Sequence, residues 1–167
     1  MPLLHGLFLF YFIFTILSLG ALFCNTSGWR QHGSNCYKFK SETMKSWSAA
    51  RHDCVEEGGD LVSITSQAEN TYVMGTLSST HLDFWIGLST LVRGTCRGKE
   101  RLWTDGSPFR YIHSKICVSP AGSPDDYFGE DCLSILINGG YWNDDNCQNK
   151  RGYICKRRGE ECCLKRC

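Results

Sequence analysis

The chain has 167 residues, eleven of them cysteine, and a formal net charge of +1. A near-neutral balance offers nothing toward a nucleic-acid partner. Eleven cysteines at this length point to an oxidising compartment and to disulfides, whereas a zinc module would need two paired short spacings, and the adjacent Cys162 and Cys163 give poor zinc geometry.

Leu3 to Phe23 is almost wholly apolar. The run is long enough to span a bilayer, yet it begins at the extreme N-terminus and ends in small residues, as a secretory signal does. Ser18 and Gly20 fit small-residue cleavage positions, with a mature start near Ala21. Residues 1–23 are therefore read as a signal peptide and the protein as secreted. The competing reading is an uncleaved anchor with the domain outside, but no stalk separates the apolar run from the first domain residues. Asn25-Thr26-Ser27 is a glycosylation sequon, usable at Asn25 only in a secreted chain.

About 145 residues remain, which suits one domain. Cys36-Tyr37-Lys38-Phe39 alternates as a short strand. From Met44 to Glu57 the period becomes helical, with Met44, Trp47, Ala50, Cys54 and Val55 on one face. Gly58-Gly59 ends that helix. Leu61 to Ile64 is strand-like, and Ser66-x-x-Glu69 is a capping box opening a second helix through about Leu77. Phe84 to Leu88 reads as a buried strand. Beyond it the chain is rich in Gly, Pro, Ser and Asp, with short strands expected at Leu133 to Ile137, Gly140 to Trp142 and Gly152 to Lys156. Two early helices followed by irregular β structure stapled by cystines make the class α+β. Lys150, Arg151, Lys156, Arg157, Arg158, Lys165 and Arg166 gather late; they are read as a solvated edge and tail, the alternative being a patch for anionic glycans or lipids.

The last third carries a run of oxygen-bearing side chains. Ser123-Pro124-Asp125 is followed by Glu130-Asp131-Cys132, then by Trp142-Asn143-Asp144 with Cys147 just beyond. Oxygen ligands on a disulfide-closed loop suit a hard cation such as Ca²⁺. The plainer alternative is a set of Asp- and Asn-rich turns, which accounts for the composition but not for the association with Cys132, Cys147 and Trp142.

Taken in order, Gly28-Trp29, Cys36-Tyr37, the Trp47 to Cys54 helix, Gly59-Asp60-Leu61-Val62, Trp85-Ile86-Gly87-Leu88, Trp103-Thr104-Asp105-Gly106, Glu130-Asp131-Cys132, Trp142-Asn143-Asp144 and Tyr153-Ile154-Cys155 resemble the C-type lectin-like domain over roughly residues 24–157. That leaves 158–167 as a basic, cysteine-rich tail. The resemblance implies two helices, short antiparallel sheets and a long disulfide-closed loop region. It implies Cys54–Cys155 and Cys132–Cys147 bridges, with Cys24–Cys36 as the N-terminal bridge of longer family members. Cys96 and Cys117 fall outside the common pattern and are expected to pair with each other. The odd set Cys162, Cys163 and Cys167 suggests a disulfide-linked homo-oligomer.

The resemblance also implies a calcium site that binds sugar. The carried-over ligands are Asp125, Glu130, Asn143 and Asp144, with Ser123 at the first loop position, Pro124 as the cis-proline and the Asp144 carbonyl as a further donor. Two vicinal sugar hydroxyls would complete the seven or so ligands that Ca²⁺ accepts. In the family Asp at the third loop position accompanies galactose-type ligands, and Tyr127 offers a ring for the apolar face of galactose. Ser123 departs from the Gln or Glu usual there and is too short to reach the same point. A second calcium site through Asp126 and Asp131 is not expected, because Ser89 and Thr90 stand where acidic partners should be. The expected function is secreted, calcium-dependent binding of terminal sugars in glycan recognition. The alternative is the same fold binding a protein partner without calcium.

No enzyme is expected. Gly94-Thr95-Cys96-Arg97-Gly98 looks superficially like a nucleophile elbow, but such a turn needs a strand before it and a helix after it, and basic, glycine-rich sequence comes next. His32, His52, His81 and His113 show no paired spacing. Trp85, Trp103 and Trp142 are read as core residues and not as sugar platforms.

Overall fold

The structure, a computed structural model, describes residues 22–24, 27–89, 103–113 and 132–161, with the side chains of 22, 23, 89, 160 and 161 left aside. Among these residues nine strands and two helices occur in the order β1 (Leu22–Phe23), β2 (Arg30–His32), β3 (Asn35–Lys45), α1 (Trp47–Glu56), β4 (Asp60–Leu61), α2 (Gln67–Leu77), β5 (Phe84–Ser89), β6 (Cys132–Ile135), β7 (Trp142–Asp145), β8 (Arg151–Arg158) and β9 (Glu160–Glu161). The main sheet runs β2-β3-β8-β5-β6-β7, with β4 also on β8. Its pairings are antiparallel except β5 with β8, which is parallel. β1 pairs with β9, outside the 24–157 bounds expected from the sequence.

The central strands are buried on both faces, and their sequences show why. In β5, Phe84, Ile86 and Leu88 join one core cluster while Trp85 joins the other. In β8, Ile154 faces the first cluster and Tyr153 and Cys155 the second. Side chains alternate along a strand, so a continuous apolar run such as Phe84 to Leu88 requires cover on two sides. α1 supplies it on one side through Trp47, Ala50 and Cys54, and α2 on the other through Val73 and Leu77. Gly87 is there because nothing larger fits: a Cβ would lie 2.5 Å from the Leu61 carbonyl oxygen. Its N–H donates to the Val62 carbonyl and its carbonyl accepts from the Thr104 N–H, tying β5 to the stretch after β4 and to the Trp103 segment.

The first helix is shorter than its periodicity suggests. Met44 belongs to β3, and both Met44 and Val55 are exposed, at 46% and 52%. Starting the helix at Trp47 turns the i, i+3, i+7 stripe of Trp47, Ala50 and Cys54 inward and leaves Val55 roughly 100° away from it. Its end is a Schellman turn: Gly58, at φ +81°, donates to the Val55 carbonyl and Gly59 to the Cys54 carbonyl. α2 opens on Ser66, whose side chain accepts from the Glu69 N–H. Glu69 does not complete the box. Its buried carboxylate accepts instead from the Thr65 N–H at 2.8 Å and the Tyr37 hydroxyl at 2.6 Å and pairs with Lys156. Burial pushes the Glu69 carboxyl up, but Lys156, Thr65 and Tyr37 outweigh it and hold the group below the ordinary range.

Strand bounds also shift. β7 begins at Trp142, since Gly139 and Gly140 take positive φ in the preceding turn, and β8 extends from Arg151 to Arg158. Disulfides join Cys24 to Cys36, Cys54 to Cys155 and Cys132 to Cys147. Cys96, Cys117, Cys162, Cys163 and Cys167 lie outside the described residues, as does the sequon Asn25.

Candidate functional site

The described part of the site is the β6–β7 hairpin at one edge of the sheet. Leu133 faces Asp144 and Ser134 faces Asn143 across it. Three anchors fix its position. Trp142 is buried, its indole N–H donates to the buried Asn70 side chain at 3.1 Å, and its ring meets Trp103 edge-on at 5.3 Å. Its backbone N–H donates to the His113 carbonyl at 2.9 Å. At the other end the Cys132–Cys147 disulfide closes the hairpin base, and the Cys147 carbonyl accepts the Trp47 N–H at the start of α1.

On this strand three polar residues have three different environments. Asp145 is nearly buried and fully engaged: it pairs with Arg151 and accepts from the Asn149 amide and the Asn146 N–H, each at 2.8 Å. Arg151 also bridges to Asp83 and lies 5.5 Å over the Trp85 ring. Asp145 is thus a structural acid. Asn143 points outward and is exposed, while Asp144 is 6% exposed. The Asn143 amide reaches the Asp144 carbonyl oxygen, 2.6 Å from Nδ2. The two ends of a side-chain amide exchange by a simple flip, so the strand can present the Asn143 amide oxygen and the Asp144 carbonyl oxygen at one place, while the Asp144 carboxylate lies buried on the same strand. An all-oxygen set of one carboxylate, one amide and one carbonyl fits a hard cation such as Ca²⁺. Ser123, Pro124, Asp125, Tyr127 and Glu130, the other expected members, lie outside the described residues.

The tryptophans are core residues: Trp85, Trp103 and Trp142 are all buried. The role of His113 is not apparent from histidine spacing. It stacks between Tyr111 and Tyr141, with interplanar angles of 7° and 6°, and the carbonyl of the same residue holds β7. The i, i+2 spacing of Tyr111 and His113 in an extended segment is the signal the sequence offers for it.

The perturbed acids and phenols among the described residues belong to the framework. Burial raises the Asp53 carboxyl, but hydrogen bonds from Lys45, Tyr153 and Lys40 outweigh it and hold Asp53 at about 2. Burial, reinforced by Glu69, pushes the Tyr37 phenol up. The Lys45–Asp53 and Tyr37–Glu69 contacts tie β3 to α1 and α2, and Tyr153–Asp53 ties β8 to α1.

Comparison with known proteins gives a consistent result. The family model "Lectin C-type domain" matches residues 43–157. The chain is 33% identical over 136 residues to the galactose-specific lectin nattectin of Thalassophryne nattereri, covering 78% of each chain. It is 33% identical over 125 residues to human C-type mannose receptor 2, covering 74% of this chain but 8% of the receptor. Among solved structures, the cow CD23 carbohydrate-recognition domain, crystallised in the presence of a GlcNAc2Man3 oligosaccharide, superposes with TM-score 0.69 at 30% identity, covering 84% of this chain and 99% of that one. A calcium-independent type II antifreeze protein superposes with TM-score 0.67 at 29% identity, covering 84% and 98%.

Proposed function

The chain belongs to the C-type lectin family, and on that premise we propose that it is a secreted binding protein, not an enzyme, that holds terminal sugars of glycans through one Ca²⁺. The observation that carries this reading is on β7: Asn143 exposed, Asp144 buried beside it, and the Asn143 amide folded onto the Asp144 carbonyl. Asp125 and Glu130 are the remaining ligands of the proposed cage.

Bound there, Ca²⁺ supplies coordination positions for two neighbouring sugar hydroxyls. The chain's residues do the rest. Asp125, Glu130 and Asp144 accept hydrogen bonds from those hydroxyls, and Asn143 donates its amide N–H to a sugar oxygen once its own oxygen faces the cation. Tyr127 packs its ring on the apolar face of a galactose-type ring. Galactose preference rests on Asp125 and on the likeness to a galactose-specific lectin. One such site is shallow, so useful strength comes from several sites acting together, in a disulfide-linked or non-covalent homo-oligomer. Retention on galactose-agarose tests the reading. We expect retention in millimolar Ca²⁺ and release by chelator; a protein retained equally well in chelator, or never retained, overturns it.

A second reading is favoured by Ser123, which is too short for its position, and by the likeness to a calcium-independent relative. In it the same loop surface binds a protein partner without metal. Chelator-insensitive function is its signature.

A further inference from the structure

Along the end of β8, three strands from β7 in the sheet, the fold carries a polar groove of about 990 Å³, at the upper end of ligand-sized clefts. Its walls come from separate parts of the chain: Ser34 of the β2–β3 turn, Asn35 at the start of β3, Gly58 and Gly59 after α1, the Thr104 to Arg110 segment and the end of β8. Three guanidinium groups line it, Arg110, Arg157 and Arg158, together with Lys156, which pairs with Glu69, and two carboxylates, Asp60 and Asp105. In a chain of net charge +1, this guanidinium cluster is local.

Asp60 is offset by Arg51, whereas Asp105 keeps its charge and is held by neutral donors. Asp60 takes both Nε and Nη2 of Arg51, at 3.1 Å each, and the Thr104 hydroxyl at 3.0 Å. Asp105 accepts from the Ser63 hydroxyl and the Ser107 N–H. Lys156 is neutralised by Glu69. The carbonyls at the end of α1, which would repel an anion, are capped by Gly58 and Gly59. The Arg157 guanidinium sits over the Trp29 ring, 4.7 Å from its centroid, a contact that restrains it before any ligand arrives. Arg110 and Arg158 are exposed and make no ion pair among the described residues. Ser34, Asn35, Thr65 and Ser107 add hydroxyl and amide groups to the same lining.

From this placement we propose that the groove binds an acidic oligosaccharide, one carrying sulfate or uronate groups, independently of the calcium site. Guanidinium groups pair with the anionic substituents, and the hydroxyls and amides of the lining meet the sugar hydroxyls. Its lining is too polar to hold an amphipathic peptide, which needs apolar pockets.

Calorimetric titration of a heparin-derived octasaccharide into the full chain, with chelator present, tests this. We expect binding at 50 mM NaCl that is lost at 500 mM NaCl, because the contacts are ionic. Arg110→Ala with Arg158→Ala should weaken it at least tenfold at an unchanged melting temperature. Lys150→Ala, exposed but outside the groove, should change it less than twofold. An N- and O-desulfated octasaccharide separates the two anion types: retained binding assigns the uronates, lost binding the sulfates. Absence of octasaccharide binding, equal losses in the groove and Lys150 variants, or equal affinity for a poly-glutamate peptide each overturn the proposal. Asp144→Ala keeps the two sites distinguishable, since it should leave octasaccharide binding intact whatever it does to galactose retention.

Discussion

At the scale of single residues, environment separates two neighbouring carboxylates. Asp145 serves Arg151 and the sheet, whereas Asp144 sits beside the exposed Asn143. Asp144→Ala should therefore abolish chelator-sensitive galactose retention while leaving the melting temperature within a few degrees, as a thermal scan would check. Asp125→Asn should move sugar competition toward mannose; unchanged competition would mean that the loop does not read sugars as its relatives do. Asp53 supplies a third residue-scale prediction. Its carboxyl lies at about 2 in the folded protein, below the unfolded value near 3.9. A depressed carboxylate stabilises the fold at pH above the unfolded value, and that contribution disappears as pH falls through about 2. Asp53→Asn should cost about 1 kcal/mol at pH 7, after allowing for screening of a part-exposed cluster. Urea unfolding at pH 7, 4 and 2.5 should show the difference from the parent nearly unchanged between pH 7 and 4 and much reduced at pH 2.5.

At the scale of elements, caps and close approaches fix the two helices and the central strand. Ser66→Ala removes the acceptor for the Glu69 N–H and should cost about 1 kcal/mol by denaturant unfolding. Much of this level is legible in the sequence. The Ser66 cap, the Gly58-Gly59 stop and the continuous Phe84 to Leu88 run each state a local physical rule, and the structure obeys it. Where local pattern and structure part, a distant neighbour decides. Met44 has helical spacing but pairs into β3, because strand hydrogen bonding continues to Lys45 opposite Arg151. Glu69 has capping-box spacing but turns to Lys156 and Tyr37, partners 87 and 32 residues away that local pattern cannot show. On the binding hairpin, the Trp-Asn-Asp order marks a site, while the distinction between Asp144 and Asp145 depends on where Arg151 lies in three dimensions.

At the scale of the whole molecule, the two ends of the described domain are brought together. The Cys54–Cys155 bridge spans 101 residues and joins α1 to β8 with both cysteines fully buried. Closing so long a loop removes much unfolded-state entropy, so the paired substitution Cys54→Ala and Cys155→Ala should lower stability by about 4–5 kcal/mol in the chain-entropy model. The same architecture sets the two proposed sites apart, with the β7 edge for a cation and sugar and the β8 side for acidic glycans. The claim on which the rest turns is that the first site is built for calcium. Titration calorimetry of the parent and Asp144→Ala proteins with CaCl₂ tests it most directly. We predict one ion per chain, with Kd on the order of 10⁻⁴–10⁻³ M, and no binding in the variant. No heat from the parent protein, or the same isotherm from both, would contradict it.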